Sequence, residues 1–245
     1  IPLLLSLIPS TFAQPATAAS GGGVLLGSAG PSALTYSNVV ADAVTGNQRF
    51  IISTSGSANF NIHPDAGALN ILTLRHEIGH ALGFGTLWED NEVYNDGIEG
   101  NSNRTGTIGT VGSYQGAFGL AAYQAEFNPV ATTIPIELDG GGGTAQVHWN
   151  EVADNFALEN QVGFDGDPGD GVAARTVLSG PNAGKSMDNE LMTGVLSGDG
   201  FLSQTLIASL RDIGFTVVPE PSSSTAVILA GMFVVFRRRR QARHA

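Results

Sequence analysis

The chain has 245 residues, a formal net charge of −11, 33 glycines and no cysteine. That length supports one domain with a core of its own, and the absence of cysteine excludes disulfides, cysteine-based zinc sites and a thiol nucleophile. Residues 1–219 carry 21 acidic and 6 basic side chains, a net of −15, and so lack the basic footprint that nucleic acid requires.

The chain opens on Ile1, not Met, which leads us to expect an incomplete N-terminus. Ile1 to Ala13 is apolar and is followed by small residues through Ala19. This order fits the apolar region and cleavage zone of a secretory signal, so residues 1–20 are expected to be a signal-like segment, with an apolar strand as the alternative. The body is expected over 21–218. Val24 to Leu26, Asn38 to Val44 and Arg49 to Ser53 are short β-prone runs among Gly, Ser and Thr, and Phe60 to Ile62 reads as an edge strand.

A helix follows. Ile71, Leu74, Ile78 and Leu82 recur at spacings of three and four and form one apolar stripe, expected to enter the core. Pro64-Asp65 suits its start, and Gly83 and Gly85 suit its stop. Off the stripe lies His76-Glu77-Ile78-Gly79-His80. Two histidines four apart on a helix point the same way, ~5–6 Å apart, and both imidazoles can reach one zinc ion. Glu77 is then placed to take a proton from a zinc-bound water.

Residues 86–147 show little periodicity apart from one helix, Ala117 to Phe127, and a flexible glycine run, Gly140 to Gly143. A catalytic zinc needs a third protein ligand and keeps its fourth position for water. Of the five histidines, His244 lies in a basic tail and His63 precedes the helix beside a proline, which leaves His148 in Val147-His148-Trp149-Asn150-Glu151. Glu99 and Glu126 are the rival third ligands. Asp165 to Asp170 is dense in carboxylates but lacks the glycine and the glutamate of an EF-hand loop; calcium there has only that density in its favour. Thr205 to Ile213 reads as a final helix and Phe215 to Val218 as a short strand.

The end of the chain is Val218-Pro219-Glu220-Pro221, a serine-rich spacer, a twelve-residue apolar run from Thr225 to Phe236, and four arginines. As helix that run would reach about 18 Å against a ~30 Å hydrocarbon core. The order of parts resembles the PEP-CTERM sorting signal of Gram-negative bacteria. The resemblance implies export to the cell surface or beyond, processing by an exosortase, and transient membrane association through residues 219–245.

Four separated motifs occur in order: HEIGHALGFGTLW (76–88), VHWNE (147–151), ELMTG (190–194) and TLIASLRDIGF (205–215). Together they resemble the leishmanolysin-type metzincin metallopeptidases. The resemblance implies an α+β catalytic domain: a twisted mixed sheet, an active-site helix and a loop-rich C-terminal subdomain. It implies a sharp turn at Gly83, a long insertion before the third histidine (matching His148), and a Met-turn beneath the zinc at Met192. From the residues alone Met192 reads as ordinary core packing. The chain departs from the family in having almost nothing before its Gly23-to-Gly30 strand, so the N-terminal sheet layer is expected to be incomplete.

The expected activity is peptide-bond hydrolysis with one Zn²⁺, held by His76, His80 and His148. Glu77 is the general base and an extended protein or peptide substrate pairs with the Phe60-to-Ile62 edge. The competing expectation is a non-enzymatic surface or matrix module on a degenerate form of the same fold. An intact Glu77 argues against it, because a binding module has no need of that base.

Overall fold

The computed structural model describes residues 4–7, 26–38, 49–61, 70–97, 111–138, 144–151, 174–194 and 200–216. The calls on residues 8–20, on His63, Glu99 and Gly140 to Gly143, on Asp165 to Asp170 and on the sorting-signal region lie outside these residues.

The described residues form a mixed α/β fold with two small sheets and three helices. Strand β1 (Leu4–Leu7), β2 (Gly27–Asn38) and β3 (Arg49–Phe60) form one sheet in the order β1-β3-β2. β2 runs antiparallel to β3, from Gly27 opposite Phe60 to Asn38 opposite Arg49, and β1 runs parallel to β3 over Ser55–Ala58. The pairing of β2 and β3 is irregular between Pro31 and Leu34. A proline donates no ladder hydrogen bond, so an edge strand with a local bulge suits it. Part of the expected signal-like segment, Leu4–Leu7, is thus a strand here. Of the expected edge strand Phe60 to Ile62, Phe60 ends the central strand β3, already paired with β2, and Asn61 lies outside any strand; Ile62 lies outside the described residues.

Helix α1 spans Ile71–Leu82. It starts later than Pro64-Asp65, because Asn70 is its cap: the Asn70 side chain accepts from Thr73 N at 2.9 Å. Gly83 ends it in the left-handed conformation (φ 112°), with its N–H on the His80 carbonyl and the Phe84 N–H on the Gly79 carbonyl. The buried face is not the apolar stripe. Thr73, His76, Glu77, His80 and Ala81 are buried, Leu74, Ile78 and Leu82 are half-buried, and Ile71 is 57 % exposed.

The reason lies in how closely α1 approaches the sheet. A Cβ on Gly56 of β3 would stand 2.7 Å from the Ala81 Cβ, and one on Gly27 of β2 would stand 2.6 Å from Glu77 Oε1. Ser53 Oγ of β3 donates to the Ala81 carbonyl at 2.8 Å. Small residues on the strands admit the helix backbone, and larger apolar side chains have no room on that face. The other side of β3 is closed at Ile51 by Asn91. Its side-chain amide donates to Ile51 O (2.8 Å) and accepts from Ile51 N (3.0 Å), as a neighbouring strand would.

The remaining described elements are β4 (Ser113–Tyr114), α2 (Ala117–Glu126), β5 (Ile134–Pro135), a 3₁₀ turn at Met187–Asn189 and α3 (Gln204–Asp212). Helices α2 and α3 each lie within a residue of expectation; Phe215 and Thr216 form no strand. The two helices cap each other. Glu126, at the end of α2, accepts from Gln204 N, Thr205 N and Thr205 Oγ at the start of α3. Asp212, at the end of α3, accepts from Phe118 N and Gly119 N at the start of α2, and from Tyr114 Oη. Carboxylates at helix N-termini satisfy donors that the helices themselves leave unpaired.

The main core gathers Phe84, Trp88, Tyr114 and Trp149, all fully buried, with Tyr94, Met187 and Met192. The two indoles stack at 5.0 Å between centroids, and Phe84 meets both edge-on. Isolated bridges join Ile136 to Trp149 and Trp149 to Thr193. The segments around residues 136, 149 and 193 therefore lie side by side without forming a long sheet. Among the described residues no helix is long and apolar enough to cross a membrane.

Candidate metal centre

Helix periodicity turns His76 and His80 to the same side of α1, and the ribbon around Trp149 delivers the third imidazole. The backbone of residues 148–150 is held on two sides. Glu137 N donates to His148 O (3.0 Å), Asn150 N to Pro135 O (3.1 Å) and Trp149 N to Met192 O (3.0 Å). The result is three buried histidines whose Nε2 atoms form a near-equilateral triangle. His76 to His80 is 3.1 Å, His80 to His148 is 3.0 Å and His76 to His148 is 3.0 Å.

Each ring's other nitrogen is committed. His76 Nδ1 lies 2.7 Å from Leu191 O, His80 Nδ1 3.1 Å from Phe84 O and His148 Nδ1 2.8 Å from Thr144 O. A carbonyl oxygen only accepts, so each Nδ1 carries the proton and each neutral Nε2 presents a lone pair. The contacts between Nε2 atoms are therefore not hydrogen bonds; three lone pairs face one another.

Protonation does not relieve this, because burial disfavours the imidazolium. His76 is held below the ordinary histidine range by desolvation, against the Leu191 hydrogen bond, which raises it. His80 is pushed down to about 3, by burial and then by the charge of His76. His148 is lowered well below its ordinary value, by burial and then by the charges of His80 and His76. Three converging lone pairs are a donor set that could take up a metal cation.

The triangle fits a divalent metal. Three nitrogens each ~2.0–2.1 Å from a tetrahedral zinc lie about 3.3 Å apart, a few tenths of an ångström from the separations found. Three carbonyls fixing the tautomers are the outer support that metal-bound histidines ordinarily have. The three histidines are close enough to hold a metal ion. Glu126 is excluded as third ligand, since its carboxylate is spent on the start of α3.

Glu77, one helix position from His76, is 4 % exposed, and its Oε2 is buried with no hydrogen-bond partner among the described residues. Burial raises its pKa to about 7. Such an acceptor calls for a donor in the site. Met192 is fully buried, and a Cβ on Gly79, the residue just before His80, would stand 2.7 Å from its sulfur. The thioether therefore packs against the bare stretch of α1 between the ligand-bearing turns.

Gly27 and the carbonyls of Phe84, Thr144 and Leu191 also belong to this centre, and nothing in the sequence assigns them to it. A carbonyl carries no sequence signal, and Gly27 is one of many glycines. Glu190, discussed below, was legible only as a letter of ELMTG. No family model matches the chain, and no curated protein matches it either.

Proposed function

We propose that this chain is a zinc-dependent endopeptidase of the leishmanolysin-like metzincin kind, exported by a C-terminal PEP-CTERM-type signal. One observation carries the catalytic part: three unprotonated Nε2 atoms converge at 3.0–3.1 Å, and a buried glutamate lies one helix position from His76. His76, His80 and His148 would hold the metal. Zinc bound by three histidines supplies Lewis acidity and brings the pKa of a water towards ~7.

Glu77 takes the proton as the water adds to the scissile carbonyl and returns it to the leaving amine. Burial raises its pKa to about 7 in the metal-free protein, and a bound cation would lower it from there. The competing module needs no such base, and a buried carboxylate oxygen with no partner among the described residues is costly to keep. Strand β2 has a single neighbour among the described strands, and its Gly27 end lies against Glu77. This edge replaces Phe60–Ile62 as the strand along which an extended peptide pairs. The export part rests on the order of Pro219-Glu220-Pro221, apolar run and arginines alone.

Glu77→Ala is the test. The variant should bind one zinc per chain as the parent does, and its cleavage of an unfolded protein substrate should fall by about 10²–10⁴-fold. Undiminished cleavage removes the base from the mechanism.

A further inference from the structure

The turn that carries Met192 is held from behind by one carboxylate. Glu190 is 1 % exposed. Its Oε2 accepts from Met192 N at 2.6 Å, and its Oε1 accepts from Ser203 N at 3.2 Å and Ser203 Oγ at 2.8 Å. Ser203 caps α3, its Oγ accepting from Leu206 N at 2.9 Å. The backbone adds Leu191 N to Phe201 O and Phe201 N to Asn189 O, both 2.9 Å. Glu190 thus ties residues 190–193 to the start of α3.

The opposite side of the same turn touches both ligand-bearing segments, α1 and the ribbon of His148. The Leu191 carbonyl accepts from His76 Nδ1, and the Met192 sulfur lies over Gly79. The Met192 carbonyl accepts from the N–H of Trp149, next to His148. A shift of the turn would therefore move the acceptor that sets the tautomer and tilt of His76.

Three donors on two oxygens require an acceptor at both. A glutamine offers one acceptor and would turn an N–H towards another N–H at the second position.

We propose that Glu190 is a positioning residue for the metal centre: by accepting from Met192 and Ser203 at once, it fixes the turn whose Leu191 carbonyl orients His76. The inference rests on the metal reading above, and it says nothing of Glu190 touching metal or substrate.

Glu126 supplies a matched control. It is buried, accepts three hydrogen bonds at the start of the same helix, and bonds to Gln204 and Thr205 rather than to the turn. Glu190→Gln and Glu126→Gln are compared with the parent at pH 8, where Glu190, raised by burial to about 7, is ionised. The readouts are zinc affinity by competition with a chromophoric chelator, the visible d–d spectrum of the Co²⁺ form, and the thermal midpoint of the metal-free protein.

Glu190→Gln should weaken zinc binding about 10–100-fold and shift the Co²⁺ bands. Glu126→Gln should lower the midpoint while leaving affinity and bands unchanged. If Glu190→Gln does not fold, Ser203→Ala, which removes one of the three donors together with the α3 cap, should lower affinity by up to about tenfold, beyond what its loss of midpoint predicts from Glu126→Gln. Parental affinity and bands in Glu190→Gln overturn the proposal, as do losses that follow the midpoint equally in both variants. A parent chain that binds no zinc fails earlier, and that failure belongs to the metal reading.

Discussion

Two of the buried polar clusters among the described residues are opposites. In the pair α2 and α3, Glu126 and Asp212 present four carboxylate oxygens to six N–H and O–H donors, and each oxygen accepts. In the histidine triangle, three carbonyls take the three N–H groups and three lone pairs remain, aimed at one another. The first cluster is complete and acts as structure. The second leaves three lone pairs over, a set close enough to hold a metal ion. Burial makes both demanding, because an unmatched polar group costs about 1–3 kcal/mol inside a protein. What separates a site from a scaffold here is the sign of what is left over.

Substitutions can break this comparison. The largest effect is expected for His148→Ala, which should lower zinc affinity on the order of a thousandfold by leaving two protein ligands. The same change removes one of three opposed lone pairs, which offsets part of the cost of the cavity and of the freed Thr144 carbonyl, so metal-free stability should fall less than in Asp212→Ala. A large loss of metal-free stability would mean that the histidines are scaffold. Asp212→Ala should behave in the opposite way. It strands the N–H groups of Phe118 and Gly119 and the Tyr114 hydroxyl, and should cost about 2–3 kcal/mol in urea unfolding with zinc affinity unchanged.

The smallest effect concerns acid. His148 has a folded pKa well below its ordinary value, so below about pH 6.5 the unfolded chain takes up a proton that the folded chain refuses. Its contribution to stability is therefore lost as pH falls below that point. For one proton the slope is about 1.4 kcal/mol per pH unit. Metal-free His148→Ala should be less acid-sensitive than the parent by up to about that slope; equal slopes would show that His148 titrates normally. Glu77 and Glu190, raised to about 7, act in the other direction: their contribution is lost as pH rises from the ordinary carboxylate range through about 7. They remain in both proteins and leave the difference intact.

The helices were the most legible elements. Ala117 to Phe127 and Thr205 to Ile213 are expected from pattern, and Ala117–Glu126 and Gln204–Asp212 are found. The strands were less so. Arg49 to Ser53 is expected and Arg49–Phe60 is found, because Ser, Gly, Ala and Asn over residues 53–59 have weak strand preference. Their small size has a tertiary purpose, admitting α1. The apolar stripe of α1 misled for the same reason: periodicity identifies a face, and close approach at Gly56 and Gly27 favours another. Carboxylate count left Glu126 open as a ligand, and only its three hydrogen bonds assign it to α3.

Local chemistry written in the sequence by itself determined the residue types of the centre: two histidines one turn apart with a glutamate between them, a glycine to end the helix, and few other histidines to choose from. Those facts depend on spacing along one helix, which the chain carries in its order. Tertiary structure alone decided that His148, 68 positions beyond His80, reaches the same point. It also decided that three remote carbonyls leave the lone pairs facing inward and that Glu190 braces the turn beneath. Carbonyls look alike in every residue, and closing a loop of that length depends on packing at both of its ends.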